Sequence, residues 1–83
     1  MDELEQYRQE LDGIDRELVA LFARRMDTVG KIGAYKKARG MQIQDRSREQ
    51  KVLQSRGDMA PQYRTQVEQL YEKIMELARN AEK

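Results

Sequence analysis

Three basic residues, Arg8, Arg25 and Lys36, lie on the apolar stripe of one long predicted helix. Read in alternating steps of four and three, the stripe comprises Leu4, Arg8, Leu11, Asp15, Leu18, Phe22, Arg25, Val29, Ile32 and Lys36. Apolar residues at this spacing face a core or a partner helix. A cation on that face must meet an anion or stay near water, because an unpaired buried charge is costly. The pattern predicts a pocket for an anionic ligand, and the alternative is a set of edge cations that extend to solvent.

The spacing of the three cations separates them into two groups. Lys36 follows Arg25 by 11 positions, about three helical turns, so both lie on one face and can close on one small anion. Arg8 lies 17 positions before Arg25, about 25 Å away along the helix axis. An antiparallel copy of the helix could bring Arg8 to the same ligand, so the sequence indicates a site built from two chains.

A second polar group follows at Asp45, Arg48 and Glu49. Positions i, i+3 and i+4 of a helix share one face, so the group would present a guanidinium between two carboxylates. The alternative interpretation is a helix N-cap followed by an ordinary surface charge pattern.

The composition excludes several kinds of chemistry. The 83 residues include no cysteine and no histidine, which removes thiolate metal sites, disulfides and the usual general base near neutral pH. The formal net charge is +1, and this balance argues against binding to nucleic acid, which usually needs a basic excess. The acidic start of the chain is not typical of a signal peptide and no stretch is apolar enough for a membrane span, so we expect a cytoplasmic protein without membrane contact.

The first of three predicted helices carries the cation stripe. It covers residues 3 to about 39, with Asp2 as a possible N-cap and Gly40 as a C-terminal stop. Such a helix is about 54 Å long, more than two short helices can cover, so we expect a partner chain to cover the rest. Glycines inside the helix predict a kink, close packing or ligand approach: Gly13, Gly30 and Gly33.

Two shorter helices are predicted after a linker at residues 40–44. The second helix starts from a cap at Asp45 and ends near Ser55. Residues 56–61 are predicted to form a turn, and a third helix starts near Pro61. Its apolar stripe comprises Tyr63, Val67, Leu70, Tyr71, Ile74, Leu77, Ala78 and Ala81.

In their order and spacing, three segments resemble the all-helical class of chorismate mutases. These segments are YRQELDGIDRELVALFARRM, GAYKK and IQDRSRE, and the resemblance is strong through residues 4–53 and weak after residue 56. It implies a single chorismate mutase domain over residues 1–83, folded as an all-α, intertwined antiparallel homodimer of three-helix chains. It also implies conversion of chorismate to prephenate, on the route to phenylalanine and tyrosine, without a cofactor.

The resemblance implies roles for the residues of the stripe. Arg25 and the partner's Arg8 would hold the two substrate carboxylates. Lys36 would contact a carboxylate and the ether oxygen of the substrate, and we expect it to be the principal catalytic residue.

Further roles fall on the second and third helices. Arg48 would line the site, and Glu49 with the Asp45 region would bind the ring hydroxyl. Ala78 would occupy a position where the family often has a small hydroxyl residue, and Glu82 one where bacterial members usually have glutamine. Glu82 could donate to the ether oxygen only when protonated, so its presence predicts activity that depends on pH; the alternative is a terminal side chain that frays into solvent.

Two other functions compete with the mutase. An isochorismate-pyruvate lyase of the same fold would share the cations, but Asp45 and Glu49 suit a hydroxyl-bearing mutase substrate. A non-catalytic dimerisation or regulatory module would keep the helices without binding chorismate, and Ala78 and Glu82 leave that interpretation open.

Overall fold

The computed structural model describes residues 2–82, which form three α-helices and one short 3₁₀ turn. Helix α1 runs from Glu3 to Ala38, α2 from Arg46 to Met59 and α3 from Arg64 to Glu82, and the 3₁₀ turn covers Pro61–Tyr63. No strand occurs within these residues. The prediction of an all-α chain with one long and two shorter helices is confirmed.

Helix α1 begins and ends where its capping residues predict. The carboxylate of Asp2 accepts a hydrogen bond from the amide of Glu5 at 2.8 Å. At the other end Gly40 has a φ of 64°, and the amides of Gly40 and Met41 donate to the carbonyls of Lys37 and Lys36 at 3.3 and 2.9 Å. This pair of bonds is a Schellman motif, in which a residue in the left-handed conformation lets its own amide and the following one donate to the last carbonyls of the helix. The helix end next to Lys36 is therefore fixed by the backbone of Gly40.

We expect Gly40→Ala to lower the free energy of unfolding by about 1 kcal/mol, because a Cβ disfavours the left-handed conformation. Gly40→Asn is the matched control and should lose less, since asparagine tolerates this conformation better. Urea unfolding at one fixed protein concentration measures both variants. Equal losses for alanine and asparagine would contradict the backbone argument.

The predicted turn at residues 56–61 is wrong, because α2 continues to Met59. Gly57 is buried, and a Cβ built on it would lie 2.8 Å from a guanidinium nitrogen of Arg64 and 3.2 Å from a carboxylate oxygen of Glu68. Arg64 also pairs with Asp58, and this hydrogen bond raises the pKa of Arg64. Glycine therefore serves here as a site of close approach between α2 and α3, and the chain reverses at Ala60 and Pro61 instead.

Helix α3 packs against both α1 and α2 and carries the small core of the chain. The buried apolar residues of the described chain are Val29, Val52, Met75 and Ala78. On α1, Gly33 lets the last turn of α3 approach, since a Cβ there would lie 3.2 Å from the Cα of Glu82. The helix stays continuous through all of its glycines, and the alternative of close approach applies at Gly33.

The first half of α1 extends beyond this core. The described chain measures 57 × 24 × 16 Å, and Leu4, Leu11 and Leu18 are each more than half exposed, at 56, 55 and 54 %. No helix within residues 2–82 is long and apolar enough to cross a membrane. The exposed leucines repeat every seven residues, the spacing by which one helix packs along another.

Candidate active site

A cavity of about 430 Å³ lies between the second half of α1, the start of α2 and the end of α3. Its apolar walls come from all three helices and the connecting segment: Val29, Ile32, Ile43, Val52, Met75 and Ala78. Four cations line it, namely Arg25, Lys36, Arg48 and Arg79. Three carboxylates join them, those of Asp45, Glu49 and Glu82. With four cations against three anions, the cavity favours an anionic ligand over a neutral or cationic one.

Lys36 of α1 contacts both the segment before α2 and the last turn of α3. Its ammonium nitrogen donates to the carbonyl oxygen of Ile43 at 2.7 Å and lies 3.3 Å from a carboxylate oxygen of Glu82. The Lys36 side chain is 18 % exposed and that of Glu82 9 %. An ammonium group has three donors, so these two contacts orient Lys36 and leave one donor for a ligand.

Arg25 is held against an aromatic ring. Its guanidinium carbon lies 5.7 Å from the centre of the Tyr71 ring, and that of Arg56 lies 5.8 Å from the same ring. Arginine and an aromatic face attract each other at this distance. Tyr71 on α3 therefore favours this orientation of Arg25, which lines the cavity from α1.

The group formed by Asp45, Arg48 and Glu49 serves both as a helix cap and as part of the cavity lining. Asp45 caps the helix, with its carboxylate accepting from the amide of Arg48 at 3.0 Å, yet both residues also line the cavity. Glu49 is half-buried and accepts a hydrogen bond from Arg79 at 2.9 Å. One carboxylate of the group thus serves the helix terminus, and the other is held by a side chain from α3.

Arg8 does not reach this cavity within one chain. It is exposed on the first half of α1 and is absent from the residues around the cavity. The structure therefore brings together Arg25, Lys36 and the α2 group, and it leaves Arg8 on the part of α1 that extends beyond the core.

The two predicted residues of α3 both lie at the cavity. Ala78 and Glu82 are each 8 % exposed, so the alternative that Glu82 frays into solvent is wrong. The contact with Lys36 offsets the cost of burying the Glu82 carboxylate, since a buried carboxylate needs a cation or a hydrogen-bond donor. Ala78 offers no hydrogen-bonding side chain, and the polar groups of α3 at the cavity come from Arg79 and Glu82.

Sequence reasoning missed Arg79 and the carbonyl of Ile43. Arg79 follows Met75 by four residues and precedes Glu82 by three, so the helical period places it on the face of these two buried residues. That signal was available once Glu82 was assigned to the site. The contribution of Ile43 is a backbone group, which no side-chain pattern reveals.

Comparisons with known proteins identify a family for this chain. The chain matches the family model of chorismate mutase type II over residues 7–83. It is 41 % identical over 56 residues to the T-protein of Haemophilus influenzae, a match that covers 68 % of this chain and 15 % of that relative. The chain thus corresponds to a small part of that longer protein. No solved structure gives a significant match. With a family match over nearly its whole length, the chain belongs to the chorismate mutase type II family.

Proposed function

We propose that this chain converts chorismate to prephenate in the cavity between its three helices. The observation that carries the proposal is the position of Lys36, whose ammonium lines a cavity bordered by three further cations. Chorismate is a flexible dianion that must be held in a compact conformer before it can rearrange. A cavity lined by several cations supplies that orientation.

The proposed binding mode assigns parts of the substrate to several of the charged groups. Arg25 holds one carboxylate, and Arg8 of the partner subunit holds the other. Arg48 borders the substrate from α2, and Glu49, near Asp45, accepts the ring hydroxyl. The contacts of Arg25 with Tyr71 and of Glu49 with Arg79 support these assignments, because each side chain is oriented before substrate arrives.

The proposed chemistry is a rearrangement within one molecule. The ether carbon–oxygen bond breaks while a carbon–carbon bond forms, and no group leaves, so no nucleophile or proton acceptor is needed. Negative charge develops on the ether oxygen, where the ammonium of Lys36 donates a hydrogen bond. A donor fixed in advance stabilises the transition state more than the ground state, and the bond from Lys36 to Ile43 fixes this one.

The proposal includes an antiparallel homodimer in which each site uses two chains. The leucines at positions 4, 11 and 18 are more than half exposed in the single chain. A second apolar cavity of about 420 Å³ lies beside Leu18 and Phe22 of α1 and Leu70 and Leu77 of α3. A second copy of α1 would cover both surfaces and carry its Arg8 toward Arg25, which borders this second cavity as well.

The remaining predictions concern the extent of the domain and the location of the protein in the cell. A single domain over residues 1–83 is supported by the packing of α3 on both other helices. Cytoplasmic localisation stays a prediction from the sequence.

The experiment that tests the function follows chorismate and isochorismate separately with the purified chain. Formation of prephenate from chorismate supports the mutase. Salicylate and pyruvate from isochorismate would instead identify the lyase. An intact dimer that neither binds nor converts chorismate would identify a non-catalytic module.

We expect Glu82→Gln to raise kcat/KM for chorismate by about tenfold at about pH 7.5, less than the roughly hundredfold or more that one donor at a developing oxyanion can contribute. Most carboxylates are charged at that pH and would repel the ether oxygen, whereas an amide can donate to it. The advantage of glutamine should shrink at about pH 5, because any protonated carboxyl can donate a hydrogen bond as the amide does. The measurement is kcat/KM of both proteins across this range.

Glu76→Gln is the matched control, because Glu76 is an exposed glutamate of the same helix that pairs with Lys73 outside the cavity. It should leave the pH profile unchanged. A flat profile for both the parent and Glu82→Gln would contradict the role assigned to Glu82.

A further inference from the structure

The cavity contains an ion pair in which one member, Arg79, has no contact with substrate in the proposed reaction. Arg79 of α3 donates to Glu49 of α2 at 2.9 Å, and their side chains are 31 and 22 % exposed. Both residues line the 430 Å³ cavity, and both also line a smaller neighbouring cavity of about 290 Å³. The pair therefore forms part of a wall between two cavities, next to the space where substrate would lie.

The other carboxylates of the cavity are engaged in different ways. Asp45 uses its carboxylate to cap α2, and Glu82 contacts the ammonium of Lys36. Glu49 is the cavity carboxylate held by a side chain that has no assigned contact with substrate. A carboxylate has two oxygens, and Arg79 binds Oε1, so Oε2 keeps its capacity to accept a hydroxyl group.

We infer that Arg79 is a positioning residue that sets the preference of this site for a substrate with a ring hydroxyl. This inference depends on the proposed function, because it assigns the hydroxyl to Glu49. Arg79 fixes the direction of the Glu49 carboxylate and compensates its charge, which would otherwise repel a dianion entering the same cavity. Charge-assisted hydrogen bonds of this kind are strong enough to hold one orientation.

A purely structural ion pair would behave differently. Arg79 links α2 to α3, and removal of such a link weakens packing for every ligand alike. A positioning role concerns only the ligand that uses the carboxylate. The ratio of two dissociation constants separates these roles, because any change that acts on both ligands cancels in the ratio.

The test uses two unreactive cyclic dicarboxylates that differ only in a ring hydroxyl, with binding measured by calorimetry. The parent should bind the hydroxyl-bearing probe about tenfold more tightly, a modest value for a hydrogen bond to a charged group. Arg79→Met should reduce this preference to about twofold or less while chorismate turnover shows a raised KM. Arg79→Lys should give an intermediate preference, since lysine provides charge without the planar guanidinium.

The matched control is Arg64→Met. Arg64 also links α3 to α2, through Asp58, but it does not line the cavity. Its removal should leave the preference at the parent value. Circular dichroism identifies any variant that fails to fold, in which case Arg79→Lys decides.

Each outcome bears on one of the two proposals. An unchanged preference in the folded Arg79 variants, or no preference in a parent that converts chorismate, overturns the role of Arg79 alone. A parent that binds neither probe and leaves chorismate unchanged overturns the proposed function instead.

Discussion

Replacing Lys36 with alanine should lower kcat for chorismate by at least about a hundredfold, the scale of one lost oxyanion donor. In the structure the ammonium of Lys36 lines the cavity and is fixed by the carbonyl of Ile43 at 2.7 Å. A water molecule in its place would carry no charge and would have to be reoriented during the reaction. Steady-state kinetics of Lys36→Ala measures the loss directly.

The adjacent residue provides the control. Lys37→Ala removes the same kind of side chain from an exposed position that does not line the cavity. It should retain activity within about twofold, as surface substitutions usually do. Both variants should keep the helical content of the parent by circular dichroism. Near-normal turnover by a folded Lys36→Ala protein would refute the assignment.

Arg8→Ala should lose activity on a similar scale, although Arg8 is exposed and lies outside the cavity of its own chain. Under the proposed antiparallel pairing, its guanidinium binds a substrate carboxylate in the site of the partner chain. Arg16→Ala is the matched control, because Arg16 is an exposed arginine of α1 that lies off the apolar stripe. It should leave turnover close to that of the parent.

Mixing the two inactive variants tests whether sites are shared. In a dimer of one Arg8→Ala chain and one Lys36→Ala chain, one site regains both cations and the other lacks both. With random exchange half of the dimers are mixed, so an equal mixture should recover up to about one quarter of the parent activity. Mass spectrometry of isotope-labelled chains verifies the exchange. No recovery after verified exchange would contradict a shared site.

The sequence predicted the features that depend on local patterns. The bounds of α1 follow from Asp2, Gly40 and the helical period. Asp2 and Gly40 act on the helix turn next to them, so their effect can be predicted from the local sequence. The two cations Arg25 and Lys36 were expected on one face because the helical period alone determines this. Membership of an all-α chorismate mutase family was likewise contained in the order of short motifs along α1 and α2.

Features that depend on packing between helices were predicted less well. Glycine is common in turns, but Gly57 lies inside α2, where its lack of a side chain leaves room for Arg64. Arg79 was missed because its role requires Glu49, which is 30 positions away along the chain. Propensity contains no information about such pairs, since they form only after the helices have met.

The uncovered first half of α1 has a consequence for the order in which the chain folds. α3 completes the buried core and is the last helix in the sequence, yet its contacts leave Leu4, Leu11 and Leu18 open to water. Local helical contacts form fast, so each chain should reach this partly covered state early. Under the proposed pairing, the final step is an encounter between two chains, and the rate of maturation then rises with the amount of protein present.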